Sequence, residues 1–226
     1  LECHDIMCKV GEIVVSGGVR RSAMISLSNL SDDRMRHAKS GNWWETAPHR
    51  ALANNSVSYT EKPDMETFLR EWTALVESKS GERGIFNRQA SKKQAAKNGR
   101  RDTEWEFGTN PCSEIILRPY QFCNLSEVVV RVTDDLKSLS NKVRLATIIG
   151  TLQSSLTKFP YLRKVWQNNT EEERLLGVSL TGIMDNPLLT AKNKGLAQTL
   201  DHLRLVAVDT NKEWAERLGV QQSTAI

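Results

Sequence analysis

The stretch Gly108-Thr109-Asn110-Pro111-Cys112-Ser113-Glu114-Ile115-Ile116-Leu117-Arg118-Pro119-Tyr120-Gln121-Phe122-Cys123-Asn124-Leu125-Ser126 concentrates reactive chemistry in a chain of otherwise ordinary composition. A carboxylate stands two positions after a cysteine, an amide two positions before it, and a second cysteine follows 123 − 112 = 11 positions on. Alternation along a strand places residues i, i+2 and i+4 on one face, so an extended Asn110–Glu114 segment is predicted to present Asn110, Cys112 and Glu114 together. Such a sulfur can act as a nucleophile or a one-electron carrier, the carboxylate can move a proton, and the amide can hold a substrate hydroxyl. Two strand-borne cysteines could also approach closely enough to form a reversible disulfide. The plain alternative is a packing thiol beside a surface acid, because cysteine outside a bridge is commonly buried.

The segments Asn110-Pro111-Cys112-Ser113-Glu114-Ile115 and Phe122-Cys123-Asn124-Leu125-Ser126-Glu127-Val128 together resemble the active-site finger loop and following strand of ribonucleotide reductase catalytic subunits. The short connection between the cysteines is most similar to the adenosylcobalamin-dependent class. That resemblance implies an α/β fold in which residues 1–226 form part of a ten-stranded α/β barrel with the finger loop running through its interior. It implies reduction of ribonucleoside di- or triphosphates to 2′-deoxyribonucleotides by a thiyl-radical mechanism started from adenosylcobalamin. Cys112 would carry the radical that abstracts the substrate 3′-hydrogen, Glu114 would be the base at the 3′-hydroxyl, and Asn110 would hydrogen-bond the sugar. Cys123 would be one half of a dithiol that is renewed by a thioredoxin-type or small dithiol reductant.

Upstream, Ser16-Gly17-Gly18-Val19-Arg20-Arg21-Ser22-Ala23 pairs two conformationally permissive glycines with two fixed positive charges. Read alone it is a phosphate or base contact loop, or simply a helix stop followed by solvated arginines. It is similar to the family's specificity loop, which lies between a deoxynucleoside triphosphate effector and the substrate base, and this makes Gly17, Gly18, Val19, Arg20, Arg21 and Ser22 candidate contacts. Asn54, Asn55 and Ser56 are short polar groups at the centre of a predicted strand from Arg50 to Tyr59. Similar Asn-Asn-Ser segments line the reductase barrel, so these three are candidate substrate-binding residues.

The remaining pattern alternates helices and strands, which indicates α/β architecture. Ile6, Met7, Val10, Ile13 and Val14 recur at helical spacing after Cys3, and Ala23, Ile25 and Leu27 alternate as a strand does. Ser31 is expected to cap a short helix ending near Gly41, ahead of the adjacent Trp43 and Trp44, whose ordinary role is packing. Asp64 is predicted to cap a helix that buries Met65, Phe68, Leu69, Trp72, Leu75 and Val76. Ser80–Arg88 matches a family segment that sets up a strand. Val128-Val129-Val130 reads as a buried strand, and Asp134-Asp135 opens a helical region reaching Phe159 with Leu139, Val143, Ala146, Ile149 and Leu152 at core spacing. Thr170-Glu171-Glu172-Glu173 is expected to open another helix through a capping box. That helix runs on into Leu175–Ile183, which resembles a barrel strand or strand entry, a choice that periodicity does not settle, and Leu196, Leu200, Leu203, Ala207 and Trp214 outline a helix ending near Gly219. No internal repeat, low-complexity linker or domain boundary is visible.

With 39% hydrophobic and 26% charged residues the composition is that of a soluble protein, and no run of about 18 apolar residues or secretory leader is present, so a cytoplasmic protein without membrane contact is expected. The chain has no initiator Met or terminal cap, and the resemblance covers essentially all of it while family members continue on both sides, so an interior piece of a longer reductase is expected. A third active-site cysteine, the phosphate-binding loop and the terminal cysteine pair would then lie outside it, and the piece alone would be inactive. Cys3, His4 and Cys8 lack the second ligand pair of a zinc site, so no metal site is expected. Two other functions compete. Residues 88–101 carry Arg88, Lys92, Lys93, Lys97, Arg100 and Arg101 without an acid, as a nucleic-acid-binding module would, but lack interleaved aromatics, which favours a solvated helix or loop. Cys112 as an ordinary nucleophile would need a distant partner among His4, His37, His49 and His202, none of which carries a supporting motif.

Overall fold

The computed structural model describes residues 1–16, 19–20, 22–97 and 99–226, with the backbone alone at 15, 16, 19 and 20. The chain divides into two compact units, residues 1–97 with 102–119, and residues 98–101 with 120–226. The divisions fall in loops with no shift in composition, which is why no boundary shows in the sequence.

The first unit is organised on a parallel three-stranded sheet, in the order β3 (Met24–Ser28), β4 (Ala53–Tyr59), β5 (Gly84–Asn87). Helix α1 (Glu2–Ile13) precedes a two-stranded antiparallel hairpin, β1 (Val15–Ser16) with β2 (Val19–Arg20). Two short helices, α2 (Asp33–Arg36) and α3 (Trp43–Thr46), and a 3₁₀ turn over Pro48–Leu52 lead from β3 to β4. Parallel strands require a crossover, and α4 (Met65–Ser78) supplies it between β4 and β5. The Asp64 carboxylate caps α4 as predicted, accepting from the Thr67 N–H at 2.8 Å. The helix before Gly41 is shorter than expected, and its cap is Asp32, not Ser31.

Neither long helix of this unit buries the whole apolar stripe that its periodicity suggests. On α4, Glu71 and Ala74 are buried, while Met65 is 71% and Val76 63% exposed. The cause is a buried ion cluster. Glu71 accepts from Arg83 through both oxygens, at 3.0 and 2.7 Å, and from Arg36, while Arg83 also donates to Ser28 Oγ at 2.8 Å and to the Asn29 carbonyl at 2.9 Å. Burial pushes the Glu71 carboxyl up, but the Arg83 and Arg36 hydrogen bonds outweigh it and hold the group below its usual range. On α1 the buried residues are His4 and Cys8, and the Ile6–Ile13 stripe faces outward.

Helix α5 (Arg88–Ala96) follows β5, and a hairpin of β6 (Gly108–Thr109) with β7 (Ile116–Leu117) ends the unit. In the second unit β8 (Asn124–Val129) pairs in parallel with β9 (Leu176–Thr181). Helices α6 (Leu136–Gln153) and α8 (Leu196–Leu218) pack on them around Val128, Val130, Leu139, Val143, Ala146, Leu203 and Ala207. Val129 points away from this core, so the three-valine run alternates instead of being buried throughout. Asp135 and Ser138 cap α6 reciprocally, and α8 stops at Gly219 in the left-handed region, both near the predicted ends. Helix α6 ends at Gln153, short of Phe159, and Ile149 and Leu152 are exposed.

The acidic run is a helix end, not a start: α7 covers Lys164–Glu173 and stops at Arg174, φ +43°. An acid at a helix C-terminus is opposed by the dipole, but buried Glu173 meets Arg101 at 2.8 Å and accepts from Gln121. Arg101 therefore leaves the expected solvated stripe. Arg100 donates to the Ser223 carbonyl and Arg88 to the Phe107 carbonyl, so three of the basic residues are anchors within their own units.

Candidate active site

Residues 110–115 form a six-residue loop between Thr109 and its cross-strand partner Ile116, so the predicted extended Asn110–Glu114 segment is not a strand. The chain turns at Pro111 and Cys112, and Ser113 takes φ +65°, a left-handed conformation that a strand cannot contain. The Ser113 N–H donates to the Asn110 carbonyl at 3.0 Å, closing the turn. The Asn110 side-chain oxygen accepts from the Ile115 N–H at 3.2 Å, and Thr109 Oγ1 donates to the Ile115 carbonyl at 3.0 Å. Cys112 and Glu114 are both exposed at this tip, while Asn110 is half-buried beneath it. A loop, not strand alternation, presents the thiol and the carboxylate.

The base of the hairpin is held by groups the motif does not reveal. Phe107 is fully buried and its carbonyl accepts from Arg88 Nε at 2.8 Å. The buried Arg118 guanidinium lies 5.2 Å from the centre of the Trp105 ring. The only sequence signal for this support is the recurrence of aromatics just before Gly108.

The three polar residues of β4 separate in the structure. Asn54, paired with Ile25 of β3, is exposed and its amide nitrogen donates to the Pro111 carbonyl at 2.7 Å. Asn55 is buried, with Oδ1 3.0 Å from His4 Nε2, and its N–H donates to Glu82. Ser56 is half-buried opposite Gly84 of β5. In the candidate effector loop, Val19 and Arg20 lie on β2 opposite Ser16 and Val15, and Ser22 Oγ donates to the Gly11 carbonyl at 2.9 Å. Gly17, Gly18 and Arg21 lie outside the described residues.

Cys123 sits one residue before β8 in the second unit, half-buried. It lines a cavity of about 230 Å³ with Phe122, Asn124, Phe159, Thr170 and Arg174. Phe122 packs against Phe159 and Trp166, each at 4.9 Å between ring centres. Burial lowers the affinity of Arg174 for its proton. All four cysteines carry thiols.

The cysteine–histidine contact among the described residues involves Cys8, not Cys112. Cys8 Sγ lies 3.9 Å from both His4 ring nitrogens, buried, and burial raises its thiol pKa. A thiol so placed is a poor nucleophile. Asp5 beside it accepts from Arg50 at 2.8 and 2.7 Å, which holds its carboxyl far below the usual range. No group of three or more His, Cys, Asp or Glu suited to a metal occurs among the described residues, and none of their helices is long and apolar enough to cross a membrane.

No family model matches the chain. It is 32% identical over 191 residues to the adenosylcobalamin-dependent ribonucleoside-triphosphate reductase of Lacticaseibacillus paracasei, covering 82% of this chain and 24% of that protein. The enzyme of the same description from Lactobacillus gasseri is 27% identical over 254 aligned positions, covering 99% of this chain and 33% of the relative. The crystal structure of a B12-dependent (class II) ribonucleotide reductase superposes with a TM-score of 0.71 at 23% identity, over 99% of this chain and 34% of that one. The chain thus spans about a quarter to a third of the length of the relatives it matches.

Proposed function

The chain belongs to the adenosylcobalamin-dependent ribonucleotide reductase family, and on that premise we propose that it forms part of a ten-stranded catalytic barrel that reduces ribonucleoside triphosphates to 2′-deoxyribonucleotides in the cytoplasm. The observation that carries this reading is the tip of the β6–β7 hairpin, where an exposed thiol and an exposed carboxylate stand two residues apart on a loop fastened at its base.

In this reading Cys112, as a thiyl radical, takes the hydrogen atom from C3′ of the ribose, and Glu114 takes the proton of the 3′-hydroxyl. The acceptor end of the Asn110 amide closes the loop, which orients its N–H₂ end to donate to a sugar hydroxyl. Cys123 gives up its hydrogen as half of a reducing dithiol, renewed by a thioredoxin-type or small dithiol reductant. The polar β4 segment, Asn54 to Ser56, borders the site, and Gly17 to Ser22 carries the message of a deoxynucleoside triphosphate effector to substrate choice.

A thiol alone cannot start one-electron chemistry; adenosylcobalamin, when bound, supplies that initiation. The exposure of Cys112 fits this requirement, because the radical source must reach the sulfur from outside the chain. In the complete reductase, Cys112→Ser should abolish both nucleotide reduction and cofactor-dependent tritium exchange, with fold and nucleotide binding unchanged. Substantial reduction by that variant rules out the assignment.

A further inference from the structure

We propose that Asn54 is a positioning residue for the Cys112 thiol: from β4, its side-chain amide holds the Pro111 carbonyl and so fixes the direction in which the loop tip presents the sulfur. The inference rests on the reading of Cys112 as the reacting group. A carbonyl oxygen can only accept, so the 2.7 Å contact requires the amide nitrogen of Asn54 to face it. One of the two N–H donors of that amide is then committed to the loop.

The placement gives this bond leverage. The Pro111 carbonyl belongs to the peptide that joins Pro111 to Cys112, and the proline ring already fixes φ on its other side. Holding that carbonyl fixes the plane of the Pro111–Cys112 peptide and so places the Cys112 Cα, while the Ser113 N–H bond to the Asn110 carbonyl limits the rotation about N–Cα that would swing the side chain. The bonds from Ser113 and Ile115 to Asn110 give the loop its internal shape, whereas the Asn54 bond ties that shape to the sheet. Asn54 stands on the central strand, in register with Ile25 of β3, so the anchor is rigid.

Two measurements test this. In the 226-residue chain, Asn54→Ala and the near-isosteric Asn54→Asp, which cannot donate, should each speed hydrogen exchange at the Ser113 and Ile115 amides about three- to tenfold, with α8 amides unchanged. Native exchange in both variants overturns the clamp; should Asn54→Ala fail to fold, Asn54→Asp decides. In the complete reductase, both variants should lower kcat about tenfold or more at unchanged KM, and Asn54→Gln, which keeps the donor, should recover part of the loss. A raised KM at unchanged kcat would make Asn54 a substrate contact and overturn the proposal. The exchange arm stands even if the parent protein reduces no nucleotide, so failure of the clamp and failure of the reductase reading are distinguishable.

Discussion

Gly150 of α6 faces Leu176 of β9 so closely that a Cβ on the glycine would lie 2.2 Å from Leu176 Cδ1 and 3.2 Å from Cδ2. Leu176 is itself only 1% exposed, so its side chain has no solvent to move into. Alanine is the better helix former by about 1 kcal/mol, but overpacking of a closed core costs about 1–3 kcal/mol. Gly150→Ala should therefore lower the stability of the second unit, read from urea denaturation, and Leu176→Ala in the same chain should relieve part of that loss. Additive effects of the two substitutions would show that the contact does not limit packing.

The Glu71 cluster should be the most sensitive polar feature of the first unit. Glu71→Ala removes the buried carboxylate that pairs with two buried guanidiniums, Arg36 and Arg83, and leaves Arg83 only neutral partners. Removing one partner of a buried charged group costs about 3–5 kcal/mol. Glu71→Gln, which keeps the volume and one acceptor, should fall between the wild type and Glu71→Ala in chemical denaturation. A loss from Glu71→Ala no larger than that of a surface substitution would show the cluster to be incidental.

Asp134 ties the start of α6 to its own body. Its carboxylate accepts from Lys142 at 2.6 Å, from the Arg131 N–H at 2.8 Å and from Ser138 at 2.9 Å, and these bonds, Lys142 first, lower its pKa to about 2. A folded pKa below the unfolded one contributes stability that is full above the unfolded value, about 4, and is lost as pH falls through the folded one. The stability difference between the wild type and Asp134→Asn should thus be constant near neutrality and shrink between about pH 5 and about pH 2. Denaturation curves across that range give the answer, and a difference independent of pH would reject it.

The thiols should react in the order of their surroundings. Cys3 and Cys112 are exposed, Cys123 is half-buried, and Cys8 is buried with its pKa raised. Alkylation followed by peptide mass mapping should find Cys3 and Cys112 modified first, Cys123 later and Cys8 only on unfolding. Modification of Cys8 ahead of Cys112 would contradict the placement of both.

What the sequence by itself determined is what depends on near neighbours. A carboxylate three residues ahead of an amide N–H specifies a cap, so Asp64 and Asp135 mark their helices without outside help. Gly219 stops α8 because the left-handed turn there favours glycine. The reactive types and their spacing, Asn110, Cys112, Glu114 and Cys123, were legible for the same reason, and they carried the resemblance to the reductases that the relatives bear out.

Only the tertiary structure decided which faces are covered and how the reactive residues are held. Periodicity shows that α4 has an apolar stripe, but distant Arg36 and Arg83 draw Glu71 inward, so that Phe68 and Leu75 are half-buried beside it while Met65, Leu69, Trp72 and Val76 are left exposed. An acidic run suits a helix start, yet Arg101 and Gln121, from elsewhere in the chain, take Glu173 at a helix end. Strand alternation accounts for the Asn110–Glu114 spacing as readily as a loop does, and the left-handed Ser113 that makes it a loop has no local sequence signal. Asn54 and Pro111 are 57 positions apart, and a hydrogen bond over that separation exists only once β4 and the hairpin have been brought together by the fold.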